Sequence, residues 1–183
     1  DLHFTIHSFP TRRSSDLFSL YDEMISEDFD PSLKMSPPLR SKDDARALIK
    51  GLVEGTIDCI ASDHAPHSPE SKDVEFDLAP NGIIGLETSL GVCITYLVKK
   101  RHLNWKGLVR AMSTRPAEIL GLEAGALKKG YAADITVIDP NKKWVVDPEK
   151  FRSKSRNSPY IGKTLTGKAV CTIVNGKIVY SED

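Results

Sequence analysis

The chain has 183 residues, of which 40% are hydrophobic and 27% charged, and its 25 basic residues balance 25 acidic ones. This composition is that of an ordinary globular protein and excludes disorder over the whole length. The zero net charge offers no electrostatic footprint for nucleic acid or an anionic membrane surface. The longest apolar run, from Ile83 to Val98, is interrupted by Glu87, Thr88 and Ser89, so it falls short of the roughly 18 to 20 residues that cross a bilayer.

The three cysteines, Cys59, Cys93 and Cys171, are scattered along the chain and set among apolar residues. Such cysteines are typical of small buried side chains in a reducing compartment. The sequence therefore predicts a cytoplasmic protein with no nucleic-acid or membrane partner.

The N-terminal segment differs from the rest of the chain. The run from His7 to Leu17, HSFPTRRSSDL, can be back-translated with ordinary codons into a widely used sequencing adapter. Such scars are set aside before a fold is predicted. We therefore predict that residues 1–17 are a non-native, adapter-like extension, and we give His3 and His7 no functional weight. On this interpretation the native protein extends upstream of Phe18.

A helix followed by a buried strand is predicted in the next part of the chain. Ser41 can cap a helix that runs to Gly55, with Asp44 three residues on and apolar residues at helical spacing. The apolar run from Thr56 to Ala61 is typical of a strand buried on both faces in a parallel sheet. Residues 68–80, rich in Ser, Pro, Glu and Asp, are predicted to form a loop.

Three further helices are predicted before the composition changes. The first runs from Gly85 to Lys100, the second is capped by Asn104 and runs to Met112, and the third begins at Thr114, before Pro116, and ends at Gly121.

Short β-branched runs at 135–138, 144–146 and 170–174 then indicate strands. Asn175-Gly176 between two such runs predicts a hairpin with a two-residue type I′ turn. The C-terminal part of the chain is therefore expected to be β-rich.

Two clusters carry chemistry. SDHAPH, residues 62–67, follows the buried strand, and in a (β/α) barrel the C-terminal ends of strands form the active-site face. MSPPLR, residues 35–40, is held extended by its prolines and brings a guanidinium to the same region. Each cluster alone also fits a structural role, the first as a turn cap and the second as a stiff loop.

Taken in order, MSPPLR, GTIDCIASDHAPH, APNGIIGLETSLG, STRPAEILGL and GYAADITVID resemble the C-terminal part of bacterial dihydroorotases, cyclic amidohydrolases of the amidohydrolase superfamily. The resemblance implies an α/β fold. Residues 18–125 would be the last units of a metal-dependent hydrolase TIM (β/α)8 barrel, and residues 126–183 the C-terminal part of a small β-sandwich domain built from both chain ends. The chain would then be a fragment, inactive alone, of a protein more than twice as long.

The resemblance also implies roles for individual residues. Asp63 falls on the aspartate of the family that is both a metal ligand and the catalytic acid/base, and His67 on the histidine that holds the substrate carboxylate. Ser36, Asn81 and Gly82 fall on positions that contact the pyrimidine ring. Two of these depart from the pattern, since Ser36 stands where dihydroorotases typically have asparagine and Asn81 where they often have phenylalanine.

The implied reaction suits these residue types. Dihydroorotases interconvert N-carbamoyl-aspartate and dihydroorotate in pyrimidine biosynthesis, so a cyclic amide is attacked by water and its nitrogen is protonated as it leaves. Zinc, with one or two ions per site, lowers the pKa of bound water to about 7 and polarises the carbonyl. Asp63 can take the proton of the water and deliver it to the nitrogen. His64 is expected to pack or to orient its neighbour.

The histidine count limits what this chain can do. A catalytic zinc normally has three protein ligands, and residues 18–183 contain no His-x-His and only His64, His67 and His102. The remaining metal ligands are therefore expected upstream of Phe18.

Two alternatives stay open. Dihydropyrimidinases and hydantoinases also have serine at the position of Ser36, with allantoinases more distant, although His67 suits a substrate with a carboxylate. The other alternative is an inactive dihydroorotase-like subunit that supports aspartate transcarbamoylase, which retention of Asp63 and His67 disfavours. A homodimer and an association with aspartate transcarbamoylase are both compatible with the resemblance.

Overall fold

The computed structural model describes residues 12–182, so His3 and His7 lie outside the described residues. The strands among these residues are β1 (Arg12–Ser14), β2 (Cys59–Ala61), β3 (Ile135–Val145), β4 (Thr164–Val174) and β5 (Lys177–Ser181). The α-helices of the same part of the chain are α1 (Asp16–Ser19), α2 (Lys42–Glu54), α3 (Pro69–Lys72), α4 (Ser89–Cys93), α5 (Trp105–Val109) and α6 (Arg115–Leu120). Turns of π-helix at Ile94–Val98 and Arg110–Thr114 follow α4 and α5, and 3₁₀ turns lie at Asp22–Met24, Pro31–Leu33 and Pro148–Lys150. Within residues 12–182 no helix has the length and apolarity of a membrane span.

A parallel pair of strands marks the α/β part. β1 and β2 run parallel, with residue 13 opposite Ile60, and beyond β2 a parallel bridge joins His64 to Ile83. β1 and part of α1 lie within residues 1–17, whose non-native origin stays a prediction.

The predicted helix at Ser41–Gly55 is confirmed as α2. The Ser41 hydroxyl accepts a hydrogen bond from the Asp44 N–H, the Asp44 carboxylate accepts one from the Ser41 N–H, and Gly55 ends the helix at φ +79°. β2 is shorter than predicted, because residues 56–58 connect the end of α2 to the strand. The Ile57 N–H is bonded to the Gly51 carbonyl. Cys59 and Ile60, on opposite faces of the strand, are both buried.

The long apolar helix begins later than predicted. Residues 85–88 form a turn in which the Gly85 carbonyl accepts from the N–H groups of Thr88 and Ser89, so α4 starts at Ser89. α4 runs without a break into its π turn, and Val92, Cys93, Ile94 and Leu97 are fully buried there. This helix is the centre of the core.

The predicted helix from Thr114 to Gly121 is confirmed as α6, but it continues the preceding helix and does not start a separate one. Thr114 has helical backbone angles, so α5, its π turn and α6 form one helical stretch that ends at Gly121 with φ +65°. The Thr114 hydroxyl caps no helix and donates to the Gly125 carbonyl at 2.8 Å. The predicted loop at 68–80 also differs, since it contains α3, whose first turn is capped by Ser68.

The C-terminal part is a three-stranded antiparallel sheet in the order β3-β4-β5. β3 is one strand where the sequence predicted two, and its register shifts between Asp139 and Lys143, around Pro140. The predicted hairpin is confirmed, because Asn175 and Gly176 both have positive φ, as a type I′ turn requires.

The sheet packs directly on α4. A Cβ on Gly91 would lie 3.0 Å from Trp144 and 3.2 Å from Leu165, and a Cβ on Gly167 would overlap Ile94. Residues from both sides of the predicted boundary at 125/126 therefore share one core. The boundary itself stays a prediction.

Candidate active site

The end of β2 opens onto a cleft of about 830 Å³. Asp63, two residues beyond the strand, is exposed and lines this cleft together with Ser36 and Gly82. Prolines 37 and 38 and Arg40 line the adjoining wall. The fold thus brings three of the five predicted site residues to one cavity, at the strand end where the sequence expected it.

His67 and Asn81 lie beside this cleft and contact each other. His67 Nε2 is 2.9 Å from the Asn81 carbonyl oxygen. Because a carbonyl can only accept, Nε2 carries the ring proton in this contact. His67 is also close to the cleft wall, since a Cβ on Gly82 would lie 3.8 Å from Nε2.

Gly82 occupies a position that only glycine fits. Its φ is +106°, and an added Cβ would lie 2.5 Å from the Cβ of Ala65. Its N–H donates to the Lys34 carbonyl at 2.8 Å and its carbonyl accepts from Asn157. The N–H of Gly82 is therefore engaged within the protein, and a ring contact would use the second lone pair of its carbonyl.

The side chain of His64 bonds to the backbone of a neighbouring loop. Its Nδ1 accepts a hydrogen bond from the Gly85 N–H at 3.1 Å, and the next residue, Ala65, donates its N–H to Ile83 at 2.8 Å. These contacts agree with the structural role that the sequence predicted for His64.

Two lysines that the sequence did not single out fix the loop that carries Asn81 and Gly82. Lys72 is buried and its ammonium donates to the carbonyls of Pro31 at 2.9 Å and Pro80 at 2.8 Å. Burial lowers the pKa of Lys72. Lys34 donates to the carbonyl of Asp77 at 2.7 Å. Neither lysine belongs to an apolar pattern, so the sequence contains no signal that predicts its contacts.

Asn157 is a further residue that the sequence did not single out. It is buried, and its side-chain amide bonds to the backbone of Ala65, His67 and Gly82. It lies 90 residues beyond His67 in a polar run, SRNSPY, which predicts only a loop.

The described residues do not assemble a metal site. Within residues 12–182 no group of three or more His, Cys, Asp or Glu side chains is placed to hold a metal ion. Asp63 is an exposed carboxylate in the cleft. Asp16, another carboxyl that lines the cleft, lies in the predicted non-native segment, and burial raises its pKa and favours the neutral form. A single ionised carboxylate is fewer than the three protein ligands that zinc enzymes use.

Comparison with known proteins gives consistent matches over nearly the whole chain. The model of the amidohydrolase family matches residues 19–179. The dihydroorotase of Geotalea daltonii is 52% identical over 166 residues, which are 91% of this chain and 39% of the relative. The dihydroorotase of Trichlorobacter lovleyi is 52% identical over 164 residues, 90% of this chain and 38% of the relative. The solved structure of the L-hydantoinase (dihydropyrimidinase) of Arthrobacter aurescens matches with a TM-score of 0.88 at 33% identity, over 94% of this chain and 39% of that chain.

The chain spans about two fifths of the length of the curated relatives that it matches. The hydantoinase match confirms the predicted fold class, part of a metal-dependent hydrolase TIM barrel with mixed helix and sheet.

Proposed function

The chain belongs to the amidohydrolase family, and we propose that the protein of which it is a part is a dihydroorotase. The cleft at the end of β2 carries this proposal, because the exposed carboxylate of Asp63 shares it with Ser36 and Gly82, beside His67. The curated relatives at 52% identity, which are named dihydroorotases, support the same conclusion.

Asp63 is proposed as the catalytic acid/base. When water attacks the ring carbonyl of dihydroorotate, the carboxylate accepts the proton of the water as the new C–O bond forms. It then donates that proton to the ring nitrogen as the C–N bond breaks, which gives N-carbamoyl-aspartate and restores the carboxylate. The exposed position of Asp63 in the cleft leaves its oxygens accessible to both atoms.

His67 is proposed to hold the carboxylate of the substrate. Its Nε2–H is donated to the Asn81 carbonyl, so a second donor for the substrate would be Nδ1, which carries a proton only in the imidazolium. Contacts with the ring are assigned to Ser36, Asn81 and the carbonyl of Gly82. The ligand would thus bind between the Ser36 loop and the His67–Gly82 wall.

Membership in this family implies a metal cofactor, and we propose zinc. Zinc would supply an activated water and polarise the carbonyl that is attacked. Among the described residues Asp63 is the ligand that this chain contributes. The other ligands are proposed to lie in the part of the protein outside this chain. We propose that the whole protein is cytoplasmic and forms a homodimer or associates with aspartate transcarbamoylase.

A hydantoinase or dihydropyrimidinase is the second candidate. The 33% identity to the Arthrobacter aurescens enzyme and the serine at position 36 favour it. The imidazole of His67 beside the cleft disfavours it, because hydantoin and dihydrouracil have no carboxylate for that side chain to bind.

The test uses a full-length chain, a chimaera in which residues 18–183 replace the segment that they match in the Geotalea daltonii dihydroorotase. We expect zinc-dependent turnover of dihydroorotate. Turnover of dihydrouracil or hydantoin alone would select the second candidate. No turnover of any of the three, with the parent enzyme active, would favour an inactive subunit.

Asp63→Asn in this chimaera tests the proposed acid/base. We expect kcat to fall about 10²- to 10⁴-fold, as for loss of a general acid/base, with the far-ultraviolet circular dichroism unchanged. Asp28→Asn, an exposed carboxylate outside the cleft lining, is the matched control. Equal activity of the two variants would contradict the role of Asp63.

A further inference from the structure

We propose that Asn157 is a positioning residue that sets the distance between the His67 and Gly82 loops and thereby the affinity for the substrate. This inference rests on the proposed function only in assigning substrate contacts to those loops. The structural part, that one amide joins the two loops, stands on the hydrogen bonds of Asn157 itself.

The side-chain amide of Asn157 uses both of its donors and one of its two acceptor sites. Its Nδ2 donates to the carbonyls of Ala65 at 2.9 Å and Gly82 at 3.2 Å, while its Oδ1 accepts the N–H of His67 at 3.2 Å. Its backbone carbonyl accepts the N–H of Ile84 at 3.1 Å. The residue as a whole is 6% exposed. One buried residue thus bonds to the His67 loop and to the Gly82 loop, next to the contact between His67 and Asn81.

The segment that carries Asn157 is anchored independently of the site. At one end the Glu87 carboxylate accepts the N–H groups of Arg152 at 2.9 Å and Ser153 at 3.0 Å. At the other end Tyr160 is 1% exposed, and its hydroxyl lies 2.5 Å from the Ser19 hydroxyl. Asn157 therefore holds the two loops in place relative to this anchored segment.

These contacts require an amide. Aspartate has the same shape and could still accept the His67 N–H, but it would place a carboxylate oxygen against the carbonyls of Ala65 and Gly82. Alanine would leave all three backbone groups without this partner in a buried setting, which is costly. The two variants therefore separate loss of the donor from loss of the whole side chain.

The expected effect falls on binding. Asn157 bonds to the loops of His67 and Gly82, whereas Asp63 follows β2 and is not a hydrogen-bond partner of Asn157 within residues 12–182. In the chimaera we expect Asn157→Ala and Asn157→Asp to raise KM for dihydroorotate by about tenfold or more, with kcat changed by less than about threefold, since removal of binding shared by ground and transition states moves KM.

Glu87→Ala is the comparison variant. It releases one anchor of the same segment, at Arg152 and Ser153, but leaves the three side-chain bonds of Asn157 in place, so it should lower the melting temperature and raise KM by less than the Asn157 variants do. In a His67→Ala background, Asn157→Ala should raise KM by a smaller factor than it does alone, because the proposed contact of the imidazole with the substrate carboxylate is already lost. A lowered melting temperature for both Asn157 variants with unchanged KM would overturn the positioning role.

A second measurement is independent of activity. Asn157→Ala should accelerate hydrogen exchange at the amide of His67, which the Asn157 side chain protects, and in residues 64–67 and 81–84 generally, with α2 unchanged. Unchanged exchange at His67 would overturn the inference. If the unsubstituted chimaera turns over none of the three substrates, the proposed function fails, while the exchange measurement still decides the role of Asn157.

Discussion

Replacing Gly82 by alanine tests the closest approach in the candidate site. Gly82 has φ +106°, and a Cβ there would lie 2.5 Å from the Cβ of Ala65. Carbon atoms in good contact are about 3.5–4.0 Å apart, so one of the two loops would have to shift by about an ångström. That shift would also displace Asn81, whose carbonyl is bonded to His67.

Two costs add in this variant. An alanine held at such a φ costs about 1–3 kcal/mol, and forcing a methyl group into filled space costs about 1–3 kcal/mol more. The sum is about 2–6 kcal/mol if the loops stay in place. If they move instead, part of this cost appears as misplacement of His67, and a misplacement of about 1 Å can lower the rate about 10²-fold.

The assay measures kcat/KM for dihydroorotate and urea unfolding of the chimaera. Gly82→Ala should lower both. Ala65→Gly removes the atom that clashes, so the double variant should regain part of the activity and keep only the backbone cost. Gly130→Ala is the matched control, because Gly130 has φ +94° with no atom within 4 Å of its added Cβ.

Two results would refute this reasoning. The first is a Gly82→Ala variant that is no more destabilised than Gly130→Ala and has normal kcat/KM. The second is a double variant with Ala65→Gly that is no better than Gly82→Ala alone, because the clash with Ala65 would then not be the cause.

Two further predictions concern buried groups elsewhere. Burial raises the pKa of the Cys93 thiol to about 12, so iodoacetamide at pH 8 should label Cys93 in the native chimaera far more slowly than the half-buried Cys171. In urea the two cysteines should be labelled at equal rates. Equal rates in the native protein would contradict this prediction. Burial lowers the pKa of Lys72 below its unfolded value of 10.5, so the folded state releases this proton at a lower pH than the unfolded state does. The stability of the chimaera relative to its Lys72→Met variant should therefore increase between the folded pKa and pH 10.5. A relative loss of stability over that interval, measured by urea unfolding, would contradict this prediction.

Local signals in the sequence were sufficient where an element is closed by its own residues. The capping box of Ser41 and Asp44 and the glycine at 55 define α2 without help from the rest of the chain. The pair Asn175-Gly176 likewise defines its hairpin, since both residues accept the positive φ of a type I′ turn.

The same kind of signal gave the bounds of α6 but missed its continuity with α5 at Thr114. Threonine followed by Pro116 is a common helix start, but the helix from Trp105 passes through this point. Proline lacks the N–H that an uninterrupted α-helix would use there, and the π turn Arg110–Thr114 lies directly before it. A π turn shifts the hydrogen-bond ladder by one residue, which lets the helix continue across a proline. Packing of Leu108 and Ala111 into the core favours the continuous helix.

The position of the candidate site was predictable because it depends on one strand. Asp63 follows β2, and the end of a buried parallel strand fixes where the next side chains lie. The walls of the cleft were not predictable, because they depend on polar side chains bonded to distant backbone groups. Lys72 reaches back to Pro31, 41 residues away, and Asn157 to Ala65, 92 residues away. In the sequence both residues stand in polar loops.

The two departures from the dihydroorotase pattern are connected by this same network. Ser36 lies two residues after Lys34, whose carbonyl holds the N–H of Gly82, and Asn81 directly precedes Gly82. The Ser36 loop and the Asn81 loop are therefore positioned relative to each other by this backbone bond together with the contacts of Lys34 and Lys72 described above. A smaller side chain at 36 and a polar one at 81 change two sides of one wall, so neither substitution by itself defines the substrate class. The placement of His67, which is bonded to Asn81 and held through Asn157, is the feature that would distinguish a substrate with a carboxylate from one without.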